Sequence, residues 1–367
     1  MMRAASLVTV LFLFPACRAP GGDADTMAME PGGETATFDV RHELTVPVPE
    51  GAETVRVWLA KPEANDPAQK VSRFALDENT PATPREVVDN EGNRYVYYEL
   101  RSPAAGEFKV VNTFQVTRRE VRSGATAAKT RPYTESDLKG MERHLAANRH
   151  VVIDDEIRKL AKEIVGDETN PVRMSKRIYD WVLANVQYWV KDPSRCQASK
   201  VGSTEYCLTS GTGNCTDFHS LYMSISRAAG IPTRITYGSF FKESLDGKDQ
   251  DQSYHCWIEF WAPELGWVPL DVAVADIFVG DFELNDGNTS KVELTTADGY
   301  RGRDPAMVEY YFGNLEPRRV TWNRGRDLVL RPPTANGPVN AMPKAYVEID
   351  GKEVGSYGRK LTFREVR

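Results

Sequence analysis

The chain of 367 residues has no long apolar run, no basic domain and no C-x-x-C pair, and each absence excludes something. The apolar stretch from Leu7 to Phe14 is too short for a bilayer, which takes about 20 residues, and no later segment is longer and as apolar. A net charge of −6 and a pI near 5.6 give neither the basic footprint of a nucleic-acid binder nor a polybasic membrane patch. Zinc has no paired-cysteine motif to use. The acidic segment ESLDGKDQDQS (243–253) lacks the calcium-loop pattern and reads as a solvated connection. No internal repeat occurs. What is present is ample core material, with 41% hydrophobic and 10% aromatic residues, enough for two or three domains at roughly 100–200 residues each.

The N-terminus, MMRAASLVTVLFLFPAC, is read as a targeting segment over residues 1–17. Arg3 supplies the positive region, Leu7 to Phe14 the apolar one, and Ala16 precedes Cys17. The placement of Cys17 resembles a bacterial lipoprotein signal, in which the cysteine becomes the lipidated first residue. Phe14 and Pro15 depart from the usual pattern, and a plain secretory signal is the alternative. Either way the expectation is an exported protein of the periplasm or cell envelope, in contact with membrane through a lipid anchor only. Residues 18–36, rich in Gly, Pro, Ala and acidic side chains, read as a flexible tether.

Residues 37–120 read as strands. TFDVRHELTV, VRVWLA, RYVYYEL and EFKVVNTFQVTRREV alternate and are separated by turn signals such as DNEGN, which predicts a small antiparallel β-sandwich. A linker, SGATAAKTRPYTES, follows. From residue 136 the period changes: Ile157, Leu160, Ala161 and Ile164, then Met174, Ile178, Trp181, Val182 and Asn185, form helical stripes, the second opened by Pro171. Phe218, Leu221, Tyr222, Ile225 and Ala229 mark a third helix, stopped by Gly230 and Pro232. TRITYGSF, SYHCWIEFWAP and LGWVPLDVAVAD then read as strands, and from about 317 RRVTWN, DLVLRP and AYVEID add more. The arginines of EPRRVTWNRGRDLVLR read as an ion-paired, solvated strand face.

There are five cysteines and five histidines. With Cys17 in the signal, Cys196 and Cys207 share a loop-like stretch and are candidates for a disulfide in an oxidising compartment. That leaves Cys215 and Cys256. In GNCTDFHSL, the turn and cap residues Gly213 and Asn214 put Cys215 in the first turn of the third helix. Unpaired N–H groups and the positive end of the dipole favour a thiolate there, and the same groups can hold an oxyanion. Cys215 and His219 are also four apart, a metal-ligand spacing, but no further motif supports a metal site. Alternation puts His255 and Trp257 on one face of their strand, and Cys256 on the other as a core thiol. The hairpin loop APELG centres on residue 264, close to the midpoint of 255 and 271. His255 and Asp271 are therefore cross-strand or diagonal neighbours, with Cβ atoms roughly 4.5–8 Å apart. A nucleophile, a base and an orienting carboxylate are all present.

GNCTDFHSLYMSISRAAGIPTR, followed by YHCWIEFWAPELGWVPLDVA and preceded by YDWVLANVQY, resembles the transglutaminase-like branch of papain-type cysteine enzymes over about residues 170–275. The resemblance implies an α+β fold: a papain-like transglutaminase core, with helices packed on an antiparallel sheet, over 136–316. The N-terminal β-sandwich would occupy 37–120 and a β-rich C-terminal extension 317–367. It implies Cys215, His255 and Asp271 as a triad acting on a peptide or protein amide through a thioester, with no cofactor and no metal. Tyr188 and Gln187 are the side-chain candidates for an oxyanion donor. Trp257 and Trp267 either shield the pair from water or simply pack. The alternative is a non-catalytic envelope module that keeps the fold to bind peptides or to scaffold an assembly.

Overall fold

The structure is a computed structural model and describes residues 26–77, 80, 82–296, 300–342 and 344–367. Cys17, the whole signal segment and the first part of the tether lie outside the described residues.

Alternating apolar positions build the N-terminal strands β1 (Thr35–Val48), β2 (Thr54–Ala60), β3 (Gln69–Leu76), β4 (Arg85–Val88), β5 (Arg94–Arg101), β6 (Gly106–Arg119) and the short β7 (Val121–Arg122). In β1 every second side chain from Ala36 to Val48 is buried, the signature of a strand with one face in a core. The chain then turns helical through α1 (Glu135–Leu138), α2 (Glu142–Leu145), α3 (Asp155–Val165) and α4 (Pro171–Asn185), with Pro171 opening α4 as its spacing predicts. Next come β8 (Gln187–Tyr188), α5 (Thr204–Ser210), β9 (Thr212–Gly213), α6 (Cys215–Ala228), β10 (Thr233–Phe240), β11 (Tyr254–Ala262) and β12 (Gly266–Leu270). The last part holds α7 (Val272–Ile277), α8 (Thr289–Thr295), α9 (Pro305–Tyr310), β13 (Asn314–Leu315), β14 (Arg319–Arg324), β15 (Ala345–Ile349), β16 (Lys352–Glu353) and β17 (Gly358–Glu365).

Two sheets, β17-β1-β6-β3 and β16-β15-β2-β5-β4, form the sandwich, with Leu44, Val46, Val57, Leu59, Tyr98 and Phe108 in one cluster between them. A central antiparallel sheet, β12-β11-β10-β14, packs against α4 and α6 through Ile178, Val182, Phe218, Leu221, Ile258 and Phe260. Each such aliphatic or phenyl side chain taken fully out of water contributes roughly 1.5–3 kcal/mol. Val320 and Trp322 of β14 pack against Phe38, Val40 and Phe114 of the sandwich.

Three expectations are corrected. Residues 317–367 do not form a separate extension: β14 pairs with β10 in the central sheet, β15 with β2, and β17 with β1. The open edges of β1 and β2 carry unpaired backbone groups, and the late strands satisfy them. The end of the tether is docked: Thr26 and Ala28 exchange backbone hydrogen bonds of 2.8 and 2.9 Å with Trp267, and Met27 and Ala28 are buried. The outer edge of β12, the last strand of its sheet, supplies the partner groups. Finally, the strand read through 276 stops at Leu270, and Asp271 becomes the N-cap of α7, accepting from the Val274 N–H at 2.9 Å.

Candidate active site

Cys215 is the first residue of α6, where the Asn214 side chain accepts from the N–H groups of Thr216 and Asp217. The Cys215 N–H is thus a helix-terminal donor that the cap does not engage. Asp217 closes the capping box and also takes the N–H groups of Ser199 and Ser203, at 2.9 and 2.8 Å, pinning the preceding loop to the helix. Gly213 is required for this closure, because a Cβ there would come within 2.4 Å of the Asp217 Cβ.

His255, the second residue of β11, reaches Asp271 by the diagonal: Ile258 pairs with Leu270, so the register centres on residue 264. Its Nε2 lies 2.7 Å from Asp271 Oδ2, which leaves Nδ1 for the thiol. Burial alone pushes the imidazole down. Asp271 and Cys215 outweigh it, and the pKa is raised to about 9. The Cys215 thiol is held well below its usual range, first by a hydrogen bond from Cys256 and then, against burial, by His255. A buried thiolate–imidazolium pair is the state this arrangement favours. Phe240 packs beside the His255 ring, centroids 5.9 Å apart.

Asp271 is a hub. Besides His255 and Val274 N–H, its Oδ2 accepts from Arg319 Nη1, and its Oδ1 lies 3.4 Å from His219 Nε2. Burial opposes its charge, yet His255 and Arg319 hold its pKa well below the carboxylate range. Arg319 is itself fully buried, paired with Glu316 at 2.9 Å and stacked 4.5 Å over Phe240. It was expected on a solvated strand face. Because β14 belongs to the central sheet, its arginine enters the site. Sequence reasoning missed it, and a contact spanning 48 residues carries no local signal.

Tyr188 is brought to the thiol by a two-residue parallel bridge, in which it pairs with Gly213, and its N–H is fixed by Asp276 at 2.8 Å. Burial, then the charge of Cys215, pushes its phenol well above the usual range, so the hydroxyl stays protonated within hydrogen-bonding reach of the sulfur. Gln187 is not brought in: its side chain is exposed, and its N–H serves the same bridge. Trp267 packs with Met141 and Trp261, and Trp257 with Met27, Val121 and Leu315, so the packing role holds for both.

Cys196 and Cys207 are not bridged. Both are free and buried, Cys207 on a face of α5 that points into the main core, Cys196 in the turn after Asp192. Cys256 does face away from His255 along β11, but that face meets α6. Its sulfur lies 3.6 Å from Thr216 Oγ1 and 3.3 Å from His219 Nδ1. It lies in the main apolar cluster, as alternation predicts, with these two polar contacts on its α6 side. Among the described residues no cluster of three His, Cys, Asp or Glu side chains is arranged to hold a metal ion. A cleft of about 580 Å³ is lined by Arg149, Lys200, Asn214, Thr216, Tyr254 and Asn340; the residues on either side of Cys215 reach it, and Cys215 itself does not line it.

The family model of the transglutaminase-like superfamily matches residues 158–272, the segment that supplies Tyr188, Cys215, His255 and Asp271. The chain carries a transglutaminase-like core. A Haemophilus influenzae protein of unassigned activity is 26% identical over 348 residues, covering 88% of each chain. Bacillus subtilis YebA is 23% identical over 173 residues, 44% of this chain and 22% of that one. Among solved structures, a candidate cysteine protease from Cytophaga hutchinsonii superposes with a TM-score of 0.52 at 18% identity, over 90% of this chain and 99% of the other. That likeness shows a shared fold. Arg319 lies outside the segment matched to the transglutaminase-like core and comes from the strands that tie the core to the sandwich.

Proposed function

We propose that the protein is a cysteine-dependent acyl-transfer enzyme acting on amide bonds, either a peptide bond or a glutamine carboxamide, through a thioester. The observation that carries this reading is the line Cys215–His255–Asp271, with the sulfur at a helix N-terminus and the 2.7 Å imidazole–carboxylate contact behind it. The Cys215 thiolate attacks the carbonyl carbon of an amide held in the neighbouring cleft. The Cys215 N–H and the Tyr188 hydroxyl are placed to meet the developing oxyanion. His255 then delivers its proton to the leaving nitrogen, the C–N bond breaks, and the acyl group stays on sulfur. Water or an amine, deprotonated by the now neutral His255, releases it and restores the thiolate. Asp271 keeps the ring in the productive orientation throughout.

The targeting segment supports a place outside the cytoplasm, with Cys17 as the lipid attachment point. No helix among the described residues is long and apolar enough to cross a membrane. A second reading, a peptide-binding module without turnover, is favoured by the 5% exposure of Cys215. A thiol-directed amide-mimicking probe separates the two. The enzyme reading expects rapid labelling at Cys215 that is lost in His255→Ala, and equal labelling of both proteins overturns it. Peptide-library turnover with added primary amine, read by mass, distinguishes amine incorporation from chain cleavage.

A further inference from the structure

The cleft that Asn214 and Thr216 reach has walls from distant parts of the chain. One is the loop over residues 200–202 with the start of α6, and the other is the segment 336–341 between β14 and β15. Arg326, 3% exposed, staples them together. Its Nη1 donates to the Gly202 carbonyl at 2.8 Å and to Ser220 Oγ, and its Nη2 to the Val201 carbonyl at 2.7 Å and Asn340 Oδ1 at 2.6 Å. Every one of these acceptors is neutral, its Nε has no partner, and no carboxylate among the described residues pairs with the guanidinium. A buried charge is ordinarily matched by an opposite one. The adjacent Asp327 carboxylate serves Arg149 instead, accepting its N–H at 2.8 Å and lying 3.9 Å from its Nε. Lys200 lines the cleft, is exposed, and has no hydrogen bond or ion pair among the described residues. Glu353, also exposed, is the one acid in the lining. Burial, then Arg326 and Arg149, push the His150 imidazole in the same lining below its ordinary pKa, against Asp327 and Glu205. The arginines' field there outweighs that of the two acids.

We propose that this cleft is a substrate subsite for a carboxylate, carried by the peptide close to the amide that Cys215 attacks, and that Lys200 is the residue that meets it. The carboxylate's part in turnover rests on Cys215 being the nucleophile; its binding does not. The ammonium of Lys200, a mobile point charge, donates to the carboxylate directly. Arg326 acts through the layer of backbone that it clamps, and the carboxylate supplies the counter-charge it lacks inside the protein. The N-terminus of α6 adds the positive end of its dipole from the same side. Asn214 and Thr216 belong both to the cleft lining and to the two flanks of Cys215, so a peptide gripped here presents its neighbouring amide at the thiol. An aspartate or glutamate side chain and a free C-terminus offer the same chemistry. Peptides bearing either are preferred to neutral ones, and lysine at that place is disfavoured.

The test measures Kd by fluorescence anisotropy for a labelled peptide library on the Cys215→Ala chain, beside turnover of the same peptides by the wild type, read by mass. Matched peptides differ only in carrying Asp, Glu, Asn, Gln or Lys at one position, and each is made with a free and with an amidated C-terminus. Amidated Asp or Glu peptides that bind about tenfold tighter than their Asn or Gln twins assign the subsite to an acidic side chain. The same gain confined to free C-termini assigns it to the terminal carboxylate. Lys200→Met is expected to remove the gain and Lys200→Glu to pass it to the Lys peptides. With Cys215 in place, Lys200→Met should raise KM about tenfold for the preferred peptides and leave kcat within about threefold. Equal Kd values for acidic and neutral peptides, no binding by any of them, or a gain that survives Lys200→Glu overturns the proposal. Charge-selective binding without turnover or probe labelling leaves the subsite standing and brings down the enzyme reading instead.

Discussion

His255 in the helical core and His42 in the sandwich are each 1% exposed, yet they titrate in opposite directions. His42 sits 5.6 Å from the Trp322 ring with neither nitrogen hydrogen-bonded; burial, then Lys344, lowers its pKa to about 3. Asp251 and Glu43 pull it upward and Arg359 downward, without changing the sign. At His255 the same burial is overridden by one carboxylate in contact and one thiolate in reach. Burial sets the default for a histidine, and a paired anion reverses it. The sandwich histidine is neutral filling and the core histidine is a stored proton.

The comparison breaks most completely when the anions are removed. Cys215→Ala or His255→Ala is expected to lower amide turnover by about 10⁴-fold, measured by peptide mass under saturating substrate. Asp271→Asn should cost about 10³-fold in kcat, and it should make His255 behave like His42. The alkaline limb of the rate profile, set by loss of the imidazolium proton at about 9 in the wild type, moves to lower pH. A limb that stays put would contradict the assignment of the proton to His255.

Arg319→Met leaves Asp271 and Glu316 without their buried cation. Urea unfolding should show a loss of about 3–5 kcal/mol, the range for breaking a buried pair from one side. A separate effect concerns acid. The unfolded chain protonates His42, and likewise the buried His144, near pH 6.5, whereas in the folded state both are lowered to about 3. Unfolded protein therefore binds more protons between those values, and stability falls as pH drops from 6.5 toward 3, by about 1.4 kcal/mol per pH unit for each ring. His42→Gln should halve that slope. His255 has the other sign: its contribution is complete below pH 6.5 and disappears as pH rises through about 9.

Much of the site was legible because its information is local. A cap, a glycine and a helical period place Cys215, and counting across one hairpin brings His255 to Asp271, on the diagonal of the actual register. Alternation named the core face of β11 that Cys256 occupies but not the Thr216 and His219 side chains that α6 lays against it. The sandwich strands were visible by period, but their late partners were not. Pairing β17 with β1 and β15 with β2 joins segments from opposite ends of the sequence. Arg319 was hidden for the same reason, since its role depends on β14 choosing β10 as neighbour.

That long-range pairing gives the tail a hold over the chemistry. Leu361 and Phe363 of β17 share a cluster with Phe38, Val40, Val320 and Trp322, and Val320 directly follows the arginine clamped on Asp271. A protease that trims β17 would unzip the first strand, loosen the backing of β14 and slacken a carboxylate it never touches. Clipping a remote, solvent-facing end would thus work as a brake on the thiol.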